Sequence, residues 1–163
     1  VAFDFGSGVV CEGTGMLLQN RGAYFSLDPD HVNRLEPKKR TMHTLIPGMA
    51  SRDGKPWLAF GGMGGDLQPQ IQAQVLVNLV DHGLAPDVAV ARPRMAILGD
   101  GVTTAIEADH PQARELNRSG AAVQLMPARH PMFGHAHAIV VDGPKKWRAG
   151  ADPRSDGSAV FVD

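Results

Sequence analysis

Five residues, Gly61-Gly62-Met63-Gly64-Gly65, stand between an apolar stretch ending in Leu58-Ala59-Phe60 and an amphipathic stretch that starts near Gln68. Glycine accepts positive φ and lets backbone N–H groups approach a bound atom, while a helix start just beyond adds partial positive charge. An anion or an oxyanion could sit at such a turn, although a strand-to-helix turn without a ligand uses the same residues. It is not a nucleotide fingerprint, because neither G-x-G-x-x-G with a later ribose-binding acid nor a P-loop Lys-Ser/Thr is present. His43-Thr44 follows the basic run Lys38-Lys39-Arg40. An imidazole there could act as a general base, a ligand or a hydrogen-bonded loop residue. His135-Ala136-His137 puts two imidazoles on one face of a strand, with His130 near in sequence. No Cys or carboxylate cluster at ligand spacing accompanies them, so neither a metal nor another cofactor is expected. Asp152-Pro153-Arg154-Ser155-Asp156 could be a salt-bridged turn or a substrate clamp, and reads better as the turn.

These residues need elements to hold them. Gly8–Cys11 and Met16–Asn20 read as two strands split by the turn Glu12-Gly13-Thr14-Gly15, with Cys11 a small strand residue. Leu27–Arg40 is polar, punctuated by Pro29 and Pro37, and without helical or strand period, which predicts a long surface loop serving a site or covering a partner. Gly48–Ser51, the turn Arg52-Asp53-Gly54-Lys55 and Pro56–Phe60 make a hairpin signature, running directly into the glycine loop. The clearest helix spans about Gln68–His82, with Ile71, Val75, Leu76, Leu79 and Val80 at helical spacing and Gly83 as its stop. A short helix is predicted at Asp87–Ala91, and another from Asp109-His110-Pro111 to about Ser119, capped by Asp109 and ended by Gly120. Arg94–Leu98, Thr103–Ala108, Ala122–Met126, His137–Asp142 and Trp147–Ala149 read as strands, giving an α+β or layered sandwich fold.

Bulk composition narrows the function. The 163 residues fit one ordinary domain, and 43% hydrophobic content argues against disorder despite 19 glycines and 12 prolines. A net charge of -1 offers no basic field for a phosphate backbone, so no nucleic-acid partner is expected. No apolar run approaches the roughly 20 residues that cross a bilayer, and no membrane partner is expected. Val1-Ala2-Phe3-Asp4 has neither the basic start nor the apolar centre of a signal peptide, and Phe3-Asp4-Phe5-Gly6 begins inside an apolar pattern, which suggests truncation or processing upstream. One cysteine leaves the compartment open, cytoplasmic or periplasmic.

In order along the chain, Phe5-Gly6-Ser7-Gly8, Gly13–Asn20 and Phe25-Ser26 resemble the start of a gamma-glutamyltranspeptidase small subunit. Arg40 followed by a polar pair and Pro47 resembles the family's substrate loop, Gly61–Gly65 its oxyanion loop, and Ala151-Asp152-Pro153-Arg154 its C-terminal signature. The resemblance implies an N-terminal nucleophile hydrolase with a four-layer αββα sandwich, of which residues 1–163 form the C-terminal part of the catalytic small subunit. A precursor would cut itself, and the freed threonine, its own amine serving as base, would attack a gamma-glutamyl amide such as glutathione. Backbone N–H groups of Gly64 and Gly65 would hold the oxyanion. No Thr or Ser precedes Ser7, so the nucleophile is expected upstream and the 163 residues alone are expected to be inactive. The large subunit of the same precursor is the expected partner, and exposed sheet edges predict association with it or between copies.

The substrate-binding positions depart from the family pattern. Where transpeptidases carry an amide side chain and an acid just before Phe-Ser, this chain has Arg21 and Tyr24, and the usual serine pair is His43-Thr44. Tyr24 cannot pair with an α-ammonium, and Arg21 repels an ammonium while attracting a carboxylate. The alternative substrate is therefore an acyl group with a carboxylate and no free amine, as for a glutaryl or cephalosporin acylase. A non-catalytic pairing subunit is the third reading.

Overall fold

The fold is that of a computed structural model describing residues 5–161. Val1 and the Phe3-Asp4 pair, on which the expectation of upstream processing leaned, lie outside the described residues. The chain divides into two compact units, Val1–Leu45 and Ile46–Asp163.

In the first unit the two predicted strands reduce to one antiparallel bridge, Val10 with Leu17. The bonds Ser7 N to Leu18 O, Leu18 N to Val9 O and Cys11 N to Met16 O outline a hairpin, but no strand propagates. Gly6, Gly8, Gly13 and Gly15 all take positive φ, which interrupts the extended backbone a ladder requires. A 3-10 turn covers Arg21–Tyr24. The predicted long loop is indeed irregular, with one bridge between Ser26 and Arg34. Asn33 pins it: its amide nitrogen donates to Tyr24 O at 2.7 Å and Thr41 Oγ1 at 3.1 Å, and its amide oxygen accepts from Met42 N at 3.3 Å.

The second unit is built on the hairpin of β1 (Gly48–Arg52) and β2 (Lys55–Met63). Asp53 and Gly54 at its turn both have positive φ, as a two-residue turn matched to strand twist demands. β2 next pairs β6 (His135–Gly143), which pairs β7 (Lys146–Ala151), so an antiparallel sheet runs β1-β2-β6-β7. Between these halves of the sheet come α1 (Gln68–Val80) and α2 (Pro86–Ala91). Their apolar faces cover one side of the sheet. Ile71, Val75 and Leu79 recur at four-residue spacing on α1, and Val75 and Leu79 join Ala89, Val90, Leu58, Ala136, Ala138 and Val140 in one core. Strand alternation explains the choice, since Ala136, Ala138 and Val140 point inward while His137 and Ile139 point away.

A second sheet contains β3 (Met95–Ile97), β4 (Thr104–Glu107) and β5 (Val123–Met126). β3 and β4 are antiparallel, and β4 and β5 are parallel, joined through α3 (Ala113–Arg118). Ala96, Ala105 and Phe133 form its small core. The mixed helix-and-sheet architecture agrees with the sequence reading. Helix α3 starts later than predicted, and Asp109 does not cap it. Asp109 sits in a turn closed by His110 N to Glu107 O and Ala113 N to His110 O, so the chain is still bending where the helix was expected to begin.

Candidate functional site

Hydrogen bonding shortens the glycine loop. β2 continues past Phe60, pairing Gly61 with His137, Gly62 with Ala136 and Met63 with His135, which corrects the expectation that the strand ends at Phe60. A Cβ at Gly62 would overlap the His135 carbonyl oxygen, so glycine here lets two backbones meet rather than breaking the strand. Only Gly64 and Gly65 leave the ladder. Gly65 has φ of 53° and opens a 3-10 turn, Gly65–Leu67, that leads into α1. Leu67 N donates to Gly64 O at 3.1 Å, and Gln68 Nε2 donates to Gly65 O at 3.3 Å. Both carbonyls are thus turned into the protein. The N–H groups stand at the start of a helix, where donors lack intrahelical partners and the macrodipole is positive.

Behind this turn runs the segment 130–136. Gly134, at φ of 67°, lies so close that a Cβ on it would collide with Met63 O and stand 3.0 Å from Gly64 Cα. Four buried charged side chains hold the segment. Arg94 Nη1 donates to Phe133 O at 2.9 Å and Gly134 O at 3.2 Å, and its Nη2 donates to Val90 O at 2.7 Å and Asp152 Oδ2 at 2.6 Å. Asp152 Oδ2 also accepts from Ala136 N at 2.8 Å. Arg154 bridges Asp152 and Glu107, and Glu107 accepts from Arg94 N at 2.8 Å and His130 N at 3.0 Å. Burial alone pushes the Asp152 carboxyl up, but the Ala136 N–H and the Arg94 guanidinium hold it below the ordinary carboxylate value. Burial depresses Arg94, reinforced by the Arg154 cation; in Arg154 the same penalty is outweighed by Glu107 and Asp152, which raise it. Asp152-Pro153-Arg154 is therefore a salt-bridged turn, and its carboxylate and guanidinium face the interior.

The remaining predicted residues belong to the first unit. Arg21 Nη1 donates to Thr44 Oγ1 at 2.9 Å, and the guanidinium lies 5.3 Å from the Tyr24 ring centroid, a cation–π distance. His43 Nδ1 accepts from Leu45 N at 3.3 Å, which leaves Nε2 as its outward nitrogen. Arg21 and His43 line a cleft of about 470 Å³ together with Gln19, Phe25, Lys39 and Arg40. Its lining holds three cations and no carboxylate. Arg21, Tyr24, His43 and Thr44 are thus brought together in one unit, and Gly64 and Gly65 belong to the other. His135 and His137 occupy one face of β6, and the buried His135 Nε2 has no hydrogen-bond partner among the described residues. Among the described residues no three His, Cys, Asp or Glu side chains gather as a metal site.

Sequence reasoning missed Arg94 and Glu107, which it placed only as ordinary strand positions. The available signal was a lone charge in each of two apolar runs, Arg94 before Met95-Ala96-Ile97 and Glu107 after Ala105-Ile106, together with the Asp152/Arg154 pair of matching signs.

With that geometry in view, comparison with known proteins gives a consistent result. The family model described as gamma-glutamyltranspeptidase matches residues 1–162. The chain is 42% identical to the glutathione hydrolase-like YwrD proenzyme of Bacillus subtilis, an alignment covering 98% of this chain and 32% of that protein. It is 36% identical to the oxamate amidohydrolase proenzyme of Klebsiella pneumoniae, covering 96% of this chain and 31% of the relative. Among solved structures, a gamma-glutamyltranspeptidase from Pseudomonas nitroreducens complexed with L-DON superposes with a TM-score of 0.85 at 31% identity, covering 99% of this chain and 89% of that one. A cephalosporin acylase from Bacillus halodurans gives 0.87 at 41% identity, covering 97% of this chain and 30% of that one. The chain spans about a third of the length of these curated relatives.

Proposed function

The chain belongs to the gamma-glutamyltranspeptidase family, and on that premise we propose that residues 1–163 are the C-terminal part of the catalytic small subunit of an N-terminal nucleophile amidohydrolase. The parent protein cleaves gamma-glutamyl amides such as glutathione. The observation that carries the reading is the Gly64-Gly65 turn, whose carbonyls are engaged by Leu67 and Gln68 and whose N–H groups stand at a helix start.

In this reading a threonine of the longer protein supplies the nucleophile, freed by processing of the proenzyme. Its hydroxyl oxygen bonds to the amide carbonyl carbon, and its proton passes to the threonine's own amine. The carbonyl oxygen becomes an oxyanion facing the Gly64 and Gly65 N–H groups. Collapse breaks the C–N bond, the amine leaves with the proton, and water or an acceptor amine then takes the acyl group. The large subunit of the same precursor is the partner. The four-layer αββα sandwich is supported by the asymmetry of the β1-β2-β6-β7 sheet. One face is covered by α1 and α2, while on the other Met49, Ile139 and Trp147 are 74%, 47% and 54% exposed, the pattern of a sheet awaiting a second one.

A second substrate reading has its own observation. The cleft beside Arg21 is lined by Arg21, Arg40 and Lys39, the last paired with Glu36 outside the lining, and no acid lines it, which suits an acyl group with a carboxylate and no ammonium. The relatives include an oxamate amidohydrolase and a cephalosporin acylase as well as glutathione hydrolases. Kinetics of the full-length protein on gamma-glutamyl and glutaryl anilides decide between the two. Equal or better turnover of glutaryl anilide supports the cationic-cleft argument; a clear preference for gamma-glutamyl anilide sinks it. No cleavage of either would remove the amidohydrolase proposal itself.

A further inference from the structure

Four acceptors surround the Arg94 guanidinium, and only one of them is charged. Arg94 is 1% exposed, and its Nη1 reaches two consecutive carbonyls, Phe133 O and Gly134 O, while Nη2 takes Val90 O and Asp152 Oδ2. Any buried guanidinium must pair its remaining N–H groups, so the informative point is which acceptors pair them here, above all the Phe133 and Gly134 carbonyls. They belong to the turn lying directly behind the glycine loop, where Gly134 approaches Met63 O and Gly64 Cα too closely to tolerate a side chain. The same carboxylate that anchors Arg94 accepts from Ala136 N, two residues further on, and Glu107 accepts from His130 N at the other end. The backing segment is therefore fixed at both ends and in the middle by one buried ionic cluster. At Gly64 itself the carbonyl accepts from Leu67 N.

We infer that Arg94, anchored by Asp152, is a positioning residue: by fixing the Phe133 and Gly134 carbonyls it sets the backbone against which Gly64 and Gly65 present their N–H groups. The catalytic consequence rests on the oxyanion role proposed above; the positional consequence does not. A purely stabilising ion pair and a positioning device differ in what Arg94→Lys does. Lysine retains the charge facing Asp152, but its single ammonium cannot also span Phe133 O, Gly134 O and Val90 O.

The test uses the full-length protein, with Arg148→Lys at the exposed Asp142 pair as control. Arg94→Lys is expected to lower kcat on the preferred anilide by about tenfold to a hundredfold with KM changed less than about twofold, the range seen when donors are misplaced by about an ångström. Hydrogen exchange of the peptide containing Gly64-Gly65 should quicken about tenfold, while peptides containing Leu58 and Val75 stay as in the unaltered protein, as expected for a local opening. Gly134→Ala, which displaces the loop without touching a charge, should reproduce both effects. Unchanged kcat and unchanged exchange at Gly64-Gly65, or exchange rising equally at Leu58 and Val75, would overturn the inference. Should the unaltered protein cleave neither anilide, the proposed function falls and the exchange data alone decide the role of Arg94.

Discussion

The Arg21 guanidinium donates to the Thr44 hydroxyl, 23 positions away, at 2.9 Å while lying 5.3 Å from the centroid of the Tyr24 ring, so Thr44 and Tyr24 fix the direction of one cation. Neither partner neutralises it. Arg21 therefore keeps its positive charge available to the cleft it lines, next to Lys39 and Arg40. A cation oriented by neutral partners is suited to an anionic ligand, because no protein carboxylate must be displaced first.

Arg21→Gln in the full-length protein should then weaken binding of a carboxylate-bearing acyl donor more than it slows the chemical step. A charge-assisted hydrogen bond contributes about 1.5–3 kcal/mol, so KM for glutaryl anilide should rise about tenfold or more. Steady-state kinetics measure it. Equal KM values for the two proteins would show that Arg21 does not meet the acyl carboxylate.

Gly150→Ala should be among the most damaging single-atom additions to the second unit. Its Cβ would overlap the Pro86 carbonyl group and stand 2.5 Å from Asp87 N, at the point where α2 docks on β7. Backbone cannot move aside as a flexible side chain can, so about 1–3 kcal/mol or more of stability should be lost. Gly54→Ala meets nothing within 4 Å, and its cost comes from its positive φ of 73° alone. Urea midpoints for the two variants should rank in that order.

The buried ionic cluster makes a prediction about coupling. Glu107→Leu leaves Arg154 without its main partner and removes the acceptor for Arg94 N and His130 N, which should cost about 3–5 kcal/mol. Adding Arg154→Leu restores the charge balance, leaving Arg94 facing Asp152, so the double variant should lose no more stability than Glu107→Leu alone. A simple sum of the two losses, read from denaturant titrations, would show that the charges act independently.

Much of this architecture was legible in the chain, and what was not has physical causes. Helix α1 announced itself through Ile71, Val75 and Leu79 because a packed amphipathic face leaves a period in the sequence. The end of β2 did not, since Gly61 and Gly62 look like strand breakers until both are seen paired with β6, which needs the space a Gly62 side chain would fill. The strands expected around Val10 and Leu17 failed for the opposite reason: their residues suit a strand, but four glycines at positive φ bend the backbone out of one. Arg94 and Glu107 escaped notice because a charged residue reads as surface until its partner is known, and their partners lie 58 and 47 positions away. The candidate oxyanion glycines were visible as a motif; the side chains that hold the turn behind them were visible only in three dimensions.

Acid should unfold the second unit through Asp152. Its carboxyl, 0% exposed, is held below the ordinary value of about 3.9 by the Ala136 N–H and the Arg94 guanidinium, even though burial pushes the other way. A carboxylate with a lowered folded-state value favours the folded state at every pH above the unfolded value. That contribution is complete above pH of about 5 and is lost progressively as pH falls through about 4 toward the depressed folded value. Below it, protonation leaves Arg94 and Arg154 facing each other without their shared counter-ion. The Asp152 contribution to the urea midpoint of the second unit should therefore be flat above about pH 5 and fall steeply below about pH 4, on top of a shallower loss that begins as pH falls through about 6.5, because burial lowers the His110 imidazole. Asp142→Asn, at an exposed pair, should leave that profile unchanged. Asp152→Asn should start from a lower midpoint and lose less of it on acidification, because the group that titrates has been removed. An acid limb of equal size in Asp152→Asn would assign the transition to other carboxylates.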